Sequence, residues 1–402
     1  MAEHRNGNGR GSHGRNGNGR YAYIVGWGKY VPGKVVTNDD LSRIVDTSDE
    51  WIVTRTGIRE RRIAGQKDTT ASMGLAAAKE ALDRAGIRPH EVDLIIVATA
   101  TPEYAFPATA CLIQDALGAL NAGAFDLSAG CTGFMYALAL GAQTIRAGAN
   151  DIVLIIGAET LSRIMDWKDR ATCVLFGDGA GAVVLRGSKV PGGVMSALCR
   201  SDGSGGDLLM VPGGGSKHPT STETLEQGLH WIKMNGREVF RFAARIMDKS
   251  AREAAEMAAI SLEDVELIIP HQANLRIIQA AARALKLPEE RFFVNLQHYG
   301  NTSSASIPIA ICEAVDQGRL KPGDHCVMVG FGAGLTWAAA AVQWTGALPL
   351  HERTLFEQAY DRLLYLGAGV RSRVVRGYRR VESALLGTPS PKSIETEKKS
   401  KK

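Results

Sequence analysis

A single cysteine, Cys131, lies where a glycine-containing segment leads into an apolar run, in DLSAGCTGFMYAL (126–138). If a helix begins here, the thiol lies beside unpaired N–H groups and the positive end of the helix dipole, which lower the pKa of a cysteine. Such a cysteine can attack a carbonyl carbon. Inert packing is the commoner role of a lone cysteine, so position alone leaves both roles open. The other five cysteines lie in apolar or strand-like patterns and are expected to be packing residues: Cys111, Cys173, Cys199, Cys312 and Cys326.

Two polar side chains elsewhere are candidates for the same chemistry. His271 follows the apolar run IIP (268–270), and Asn301 lies in GNTSSASIP (300–308). A histidine just outside a buried strand is as often a satisfied polar residue as a catalytic base. An asparagine ahead of a helix is most often a cap or turn residue. Both roles therefore stay open for each of these residues.

The glycine-rich segment GFGAGLTW (330–337) is not a phosphate-binding P-loop, because it lacks the Lys-Ser/Thr pair of that motif. Its backbone N–H groups could stabilise a negatively charged oxygen. The segment could equally be a tight turn, and the sequence favours neither interpretation.

The elements that must position these residues alternate between short apolar runs and alanine-rich helical periods. Strands are predicted at 92–99, 151–157 and 181–187, and helices at 74–86 and 237–259. Strands that alternate with helices indicate βαβ units with helices layered on sheets.

An internal repeat with an offset of 173 residues organises these elements. VDLII (92–96) matches VELII (265–269), and DIVLIIG (151–157) matches DHCVMVG (324–330). The shared offset predicts two copies of one α/β unit. The predicted division is a disordered tail at 1–20, an N-terminal half at 21–190, a C-terminal half at 191–346 and a basic extension at 347–402, part helical and part disordered.

The repeat also relates the three candidate residues. Adding 173 to Cys131 gives Ser304, which lies close to Asn301, and His271 follows a strand of the second copy. All three candidates therefore fall at strand ends or helix starts. We expect them to meet where the two halves join.

Composition limits the class of protein. Of the 402 residues, 45% are apolar and 22% are charged, and no apolar run approaches the roughly 20 residues that span a bilayer. The first twenty residues have no apolar segment of the signal-peptide kind, so we expect a cytoplasmic protein. No CxxC pair occurs, so neither a disulfide nor a structural zinc site is expected.

The net charge of +5 comes from the two ends of the chain. Residues 1–20 carry +3 and residues 347–402 carry +6, which leaves −4 for residues 21–346. A mildly acidic body argues against binding to nucleic acid.

Taken together, the motifs resemble those of the β-ketoacyl-acyl-carrier-protein synthase III enzymes of the thiolase superfamily. The resemblance runs from about residue 21 to residue 346, with seven motifs in one order. It implies an α/β fold of two duplicated halves in a five-layer αβαβα arrangement, and a catalytic triad of Cys131, His271 and Asn301. The motifs are TSDEWIVTRTGIRER (47–61), AFPATAC (105–111), DLSAGCTGF (126–134), FGDGAGAVVL (176–185), PHQANLRI (270–277), GNTSSASIP (300–308) and GFGAGLTW (330–337).

The resemblance implies a two-step reaction that starts fatty-acid synthesis. Cys131 takes an acyl group from acyl-CoA, with the N–H groups of Cys131 and Ala333 holding the oxyanion. Malonyl-acyl-carrier protein then loses carbon dioxide, and His271 and Asn301 donate hydrogen bonds to the resulting enolate. The enolate attacks the acyl group and gives 3-oxoacyl-carrier protein. No metal and no cofactor other than the acyl-CoA substrate is expected.

The resemblance also assigns residues around the triad. Trp51, Arg55 and Arg170 would border the nucleotide of CoA, and Asn274 would contact its pantetheine arm. Phe106 would reach across a homodimer to close the acyl pocket of the partner subunit. The acyl-carrier protein would bind the loop formed by Gln272, Ala273, Asn274, Leu275 and Arg276.

Several rival functions are weighed against this one. A degradative thiolase would have a second cysteine in GFGAGLTW, and an elongating synthase would have a second histidine where Asn301 lies, so both are rejected. Relatives of secondary metabolism that share Cys-His-Asn stay open, although TSDEW and HQANLR favour primary metabolism. A catalytically silent scaffold is disfavoured by the intact triad.

The extension beyond residue 346 has no counterpart in the resemblance. Leu355, Phe356, Tyr360, Leu363 and Leu364 predict a short amphipathic helix. Its basic continuation could contact anionic lipid or the carrier protein. A solvated helix packed on the body is the favoured interpretation.

Overall fold

The computed structural model describes residues 19–346 and 355–385, so the predicted tail at 1–20 lies almost entirely outside the described residues. The strands are β1 (Tyr21–Tyr30), β2 (Lys34–Thr37), β3 (Glu60–Ile63), β4 (Leu94–Ala98), β5 (Gly123–Leu127), β6 (Ile152–Glu159), β7 (Gly179–Ser188), β8 (Gly193–Ser201), β9 (Leu209–Met210), β10 (Lys233–Met234), β11 (Val265–Pro270), β12 (His325–Gly332) and β13 (Thr336–Gln343). The helices are α1 (Asn38–Ser42), α2 (Asp49–Thr56), α3 (Thr70–Ala85), α4 (Thr109–Leu117), α5 (Gly133–Arg146), α6 (Arg170–Cys173), α7 (Thr222–Glu226), α8 (Gly236–Met257), α9 (Leu275–Leu285), α10 (Leu296–Tyr299), α11 (Ser306–Asp316) and α12 (Leu355–Leu385). The elements predicted from the apolar patterns are confirmed as β4, β6, β7, α3 and α8.

Two mixed sheets form the body, and their strand orders correspond. The first sheet has the order β1-β7-β6-β4-β5, and the second, taken from its other edge, has the order β8-β13-β12-β11. Beside β11, at the place that β5 occupies in the first sheet, Phe292 forms an isolated parallel bridge to Ile268. In both sheets the matching pair of strands in the repeat, β4 with β6 and β11 with β12, is parallel.

The offset of 173 residues is confirmed in the elements themselves. β6 begins at Ile152 and β12 at His325, and α5 begins at Gly133 and α11 at Ser306. The single 3-10 turns that precede these two helices, at 130–132 and 303–305, have the same offset. The exact domain boundaries at 190/191 and 346/347 stay predictions.

The helices and sheets form five layers. α3 and α4 cover the outer face of the first sheet, α5 and α11 lie between the sheets, and α8 and α9 cover the outer face of the second. Nine of the eleven residues of α11 are buried, because a helix between two sheets has no solvent-facing side. The predicted αβαβα arrangement is therefore confirmed, and the turns that lead into α5 and α11 lie in its central layer.

The terminal helix α12 is much longer than the short helix predicted from the sequence. It spans 31 residues, packs on α4 and has a side-chain contact with α3. Arg376 forms an ion pair with Asp115 at 3.5 Å, and the Lys79 ammonium lies 4.7 Å from the centre of the Tyr365 ring. Leu363 is exposed and Leu364 is half-buried, while the side chains of Leu355, Phe356 and Tyr360 lie outside the described residues. Within the described ranges, no helix combines the length and apolar character needed to cross a membrane.

Candidate active site

Cys131 lies in the turn between β5 and α5, at the start of a central helix. The 3-10 turn Gly130–Thr132 runs directly into α5, and Cys131 is buried. Two glycines let the loop after β12 approach it. A Cβ on Gly332 would lie 2.7 Å from the Cys131 nitrogen, and one on Gly130, at φ +55°, would lie 3.1 Å from the Ala333 nitrogen. The N–H groups of Cys131 and Ala333 therefore belong to closely packed neighbouring turns.

Burial raises the pKa of the Cys131 thiol to about 11. A hydrogen bond with Ser303 acts in the opposite direction, and a charged Glu159 would raise the pKa further. The sequence predicted a lowered pKa from the helix N-terminus. The raised pKa contradicts that prediction, because desolvation of a buried thiol disfavours its charged form. Cys131 rests as a thiol at neutral pH and must lose its proton during any attack.

His271 directly follows β11, and contacts with its backbone and with its ring fix its position. Its backbone N–H donates to the Val329 carbonyl of β12 at 2.8 Å, and its Nδ1 lies 2.6 Å from the Ser306 hydroxyl oxygen. The ring packs edge-on against Phe331 with centroids 5.2 Å apart. Burial lowers the pKa of His271 to about 3, so the imidazole is neutral at physiological pH. Its Nε2 is buried without a hydrogen-bond partner among the described residues.

Asn301 is fixed by its backbone and by one end of its amide. Its backbone N–H donates to the Leu175 carbonyl at 2.8 Å, and its carbonyl accepts from the Gly177 N–H at 3.0 Å. The side-chain Oδ1 accepts the Ser303 N–H at 2.8 Å. Because Oδ1 is engaged in this way, the NH2 group is the part of the amide that can donate to a bound molecule.

One cavity of about 400 Å³ brings the predicted residues together. Cys131, His271 and Asn301 all line it. The three residues therefore meet in one cavity, as the repeat predicts. The other predicted residues that line this cavity are Trp51, Arg55, Arg170, Ala273 and Asn274.

A smaller cavity of about 120 Å³ also borders the cysteine. Cys131 and Ala333 both line it. Its remaining wall is mainly apolar, and sequence reasoning missed these side chains because apolar residues in separate loops carry no chemical pattern. They include Leu161, Ile164, Phe176, Met210, Val211 and Ile232.

Two guanidinium groups lie over the ring of Trp51. The Arg55 carbon Cζ lies 4.6 Å and that of Arg170 5.2 Å from the ring centre. The TSDEW motif explains how α2 presents this ring, because the Ser48 hydroxyl caps the helix by accepting the Trp51 N–H. The result is a flat aromatic surface and two cations at the edge of the larger cavity.

The loop at 272–276 is only partly available to a partner. Gln272 is 1% exposed: its Nε2 donates to the Pro270 and Phe293 carbonyls, and its Oε1 accepts the Asn295 N–H. The predicted contact of Gln272 with a carrier protein is therefore wrong, because every polar atom of its amide is used inside the fold. Ala273 and Leu275 are half-buried, and Arg276 is exposed.

Asn274 has a structural task that the sequence did not indicate. Its Oδ1 accepts the Arg276 N–H at 2.9 Å and so caps α9, while its Nδ2 donates to the Arg55 carbonyl at 3.0 Å. These bonds link α9 to α2 at the edge of the cavity. Phe106, by contrast, is 87% exposed and lines neither cavity, so its predicted role across a dimer stays a prediction.

Glu159, at the end of β6, is a buried carboxyl that sequence reasoning missed. It accepts from the Thr101 hydroxyl at 2.7 Å and from the Ala100 N–H, and burial raises its pKa. The single Ser304 hydroxyl lies 2.8 Å from both Glu159 Oε1 and the Ala98 carbonyl. Ser304 either shares its hydrogen between the two acceptors or donates to Ala98 and accepts from a protonated Glu159, and the raised pKa of Glu159 favours the second arrangement. We assign the neutral carboxyl form to this residue.

Two solved structures have the same fold over most of the chain. The 3-oxoacyl-[acyl-carrier-protein] synthase III from Aquifex aeolicus VF5 is 49% identical with a TM-score of 0.74, covering 80% of this chain and 100% of its own. The synthase III from Thermus thermophilus is 48% identical with a TM-score of 0.75, covering 81% and 100%. Within the described residues, no group of three or more His, Cys, Asp or Glu is arranged to hold a metal. The duplicated fold and its buried cysteine define a condensing enzyme of the thiolase superfamily.

Sequence comparisons narrow this class to one family. Family models described as 3-oxoacyl-[acyl-carrier-protein] synthase III and as its C-terminal part match residues 125–203 and 255–344. The β-ketoacyl-[acyl-carrier-protein] synthase III of Roseiflexus sp. (strain RS-1) is 53% identical over 325 residues, which are 81% of this chain and 99% of that protein. The chain belongs to the β-ketoacyl-[acyl-carrier-protein] synthase III family. The predicted family, fold class and acyltransferase activity are confirmed, and the rival functions are not favoured.

Proposed function

We propose that the chain condenses a short acyl-CoA primer with malonyl-acyl-carrier protein, releasing CoA and carbon dioxide and forming 3-oxoacyl-carrier protein as the first step of fatty-acid synthesis. The observation that carries the proposal is the shared cavity, in which Cys131, His271 and Asn301 meet beside Trp51 and Arg55. A thiol, two hydrogen-bond donors and a cationic aromatic edge are the groups that this reaction needs. The reaction itself needs no cofactor or metal.

In the first half-reaction Cys131 attacks the thioester carbonyl of the primer. A new C–S bond forms, the C–S bond to CoA breaks, and the thiol proton ends on the departing CoA thiolate. The N–H groups of Cys131 and Ala333 hold the oxyanion of the tetrahedral intermediate. The acyl-enzyme then waits for the second substrate, so the kinetics are expected to be ping-pong.

In the second half-reaction the malonyl group loses carbon dioxide and leaves an enolate. The NH2 group of Asn301 and an Nε2–H of His271 donate to its oxygen. The neutral state of His271 and the engaged Oδ1 of Asn301 support these donor roles. The enolate carbon attacks the acyl carbonyl, the C–S bond to Cys131 breaks, and the cysteine thiolate takes up a proton from solvent.

Different residues around the triad would bind the two substrates, acyl-CoA and malonyl-acyl-carrier protein. Trp51 and the guanidinium groups of Arg55 and Arg170 suit an adenine ring and phosphates, and Asn274, which lines the same cavity, would contact the pantetheine arm. The small apolar cavity beside Cys131 favours a short primer, such as an acetyl or short branched acyl group. The exposed Arg276, with Ala273 and Leu275, would receive the acidic carrier protein. We also propose a homodimer, with Phe106 reaching the partner's acyl pocket, and a cytoplasmic location.

Initial rates with acetyl-CoA, isobutyryl-CoA and octanoyl-CoA, each with malonyl-acyl-carrier protein, test the proposal. We expect product from the two short primers and little from octanoyl-CoA. Mass spectrometry should find the acyl adduct on the peptide that contains Cys131, and none in a Cys131→Ala variant. An adduct on another cysteine, or a preference for octanoyl-CoA, would contradict the proposal.

A further inference from the structure

The terminal helix α12 carries a continuous apolar stripe that faces away from the body. Its seven members are spaced three or four residues apart, which places them on one face of a helix. Tyr365, Ser372 and Arg376, which contact α3 and α4, lie on the opposite face. The stripe residues are between 58% and 82% exposed: Leu363, Leu366, Val370, Val374, Tyr378, Val381 and Leu385.

Exposed arginines flank this stripe on both sides. At about 100° per residue, Arg371 falls on one side, and Arg373 and Arg380 fall on the other. Residues 363–385 contain five arginines and a single acidic residue, Glu382, which is a net charge of +4. An apolar face between rows of cations is the pattern of a helix that lies in the surface of an anionic bilayer.

We propose that α12 binds the surface of a bilayer containing anionic lipid, with the apolar stripe inserted among the acyl chains and the arginines at the headgroups. The proposal does not depend on the condensing activity. Each arginine near such a surface adds to the attraction, and seven apolar side chains supply the area for insertion. Because no helix in the described ranges can cross a membrane, the helix would lie on the bilayer rather than span it.

A second copy of α12 fits the stripe less well. The stripe advances 22 residues in six steps, or about 3.7 residues a step, which does not match the 3.5 residues of a left-handed coiled coil and leaves only right-handed packing of two such helices. Two such helices packed stripe to stripe would also bring their flanking arginines together, which repel. The repulsion between these arginines favours a flat anionic surface over a second copy of the helix.

Co-sedimentation of the full-length protein with vesicles tests the proposal. We expect binding to vesicles of phosphatidylcholine with phosphatidylglycerol, and at least about tenfold weaker binding to phosphatidylcholine alone. Val370→Asp with Val374→Asp should abolish binding to the anionic vesicles. A matched control, Val190→Asp with Met257→Asp, adds the same charge at exposed apolar positions outside α12 and should bind like the wild type.

The remaining outcomes are also decisive. Equal binding by the stripe variant and the wild type, or no binding by the wild type, would overturn the proposal. If the stripe variant instead lowers the oligomer size in light scattering without lipid, the stripe covers a second copy. If that variant does not fold, judged by condensation activity and circular dichroism, Arg371→Gln with Arg373→Gln and Arg380→Gln should still weaken binding to anionic vesicles.

Discussion

The Nδ1 atom of His271 lies 2.6 Å from the hydroxyl oxygen of Ser306, at the first residue of α11. The same hydroxyl oxygen lies 3.4 Å from the Gln272 N–H, which can only donate to it. This arrangement favours a Ser306 hydroxyl that donates to Nδ1. The hydrogen of the neutral ring then sits on Nε2, the buried atom without a partner among the described residues. Ser306 is therefore a positioning residue that sets the tautomer needed to donate to an enolate.

Removing this hydroxyl should damage one half-reaction more than the other. In Ser306→Ala the Nδ1 atom loses its partner and the ring can adopt either tautomer, so decarboxylation of malonyl-carrier protein should fall by about tenfold, the value of one hydrogen bond. Acyl transfer to Cys131 should change little. Ser306→Thr, which keeps the hydroxyl, should restore the rate. Equal losses in both half-reactions would instead indicate a general packing defect.

The neutral His271 predicts a simple pH dependence. Its pKa is lowered from 6.5 to about 3, so the folded site takes up a proton only as the pH falls towards 3. Decarboxylation by a Cys131→Ala protein should therefore show no loss of rate between pH 7.5 and 5.5. The unfolded chain binds the proton at about 6.5, so the contribution of His271 to stability also falls as the pH drops below that value. An inflection in the rate near pH 6.5 that disappears in His271→Ala would contradict the assignment.

The raised pKa of Cys131 predicts how it reacts with an alkylating agent. With a pKa of about 11, the thiolate fraction and the rate of reaction with iodoacetamide should rise about tenfold for each pH unit from 7 to 9. Peptide mass spectrometry separates this signal from that of the exposed Cys111 and Cys199. A plateau below pH 8 would show that the helix N-terminus outweighs burial after all.

Glu159 should tolerate an amide but not truncation. Glutamine can donate to Ser304 from its NH2 group and still accept from Thr101 and Ala100, so Glu159→Gln should keep both folding and activity within a few-fold of wild type. Glu159→Ala leaves those buried groups without partners and should lower the free energy of unfolding by about 2 kcal/mol or more. Urea unfolding of both variants is the measurement. A Glu159→Gln protein as unstable as Glu159→Ala would mean that the carboxyl is ionised.

The sequence predicts the parts of this site that follow from repetition and from chemical type. The offset of 173 residues identifies the matching turns before α5 and α11, and the reactive types at those turns identify Cys131 and Asn301. The sequence does not predict contacts that depend on tertiary packing. Glu159 is a lone acid at the end of an apolar strand, and only the fold brings Ser304 to it.

Burial and surface exposure are equally hidden in the sequence. Gln272 lies in a segment of polar residues, yet its amide is buried and forms hydrogen bonds with the backbone of Phe293 and Asn295. Gly367, Gly369 and Gly377 interrupt the apolar pattern of α12 and glycine disfavours helix, so the sequence predicts a shorter helix than the 31 residues of the structure. The burial of Gln272 and the length of α12 both depend on the tertiary contacts of each segment.

Arg276, at the start of α9 and above the Phe240 ring, should steer the carrier protein rather than the primer. Arg276→Glu replaces attraction with repulsion towards an acidic partner, so the KM for malonyl-carrier protein should rise about tenfold while acyl transfer from acyl-CoA changes little. Arg283→Glu is the matched control, because it reverses the same charge on the same helix, exposed and seven residues further from the cavity. The difference between the two variants should shrink in high salt, where surface charges are screened. If both variants raise the KM equally, or if the defect does not change with salt, the carrier protein does not dock at the start of α9.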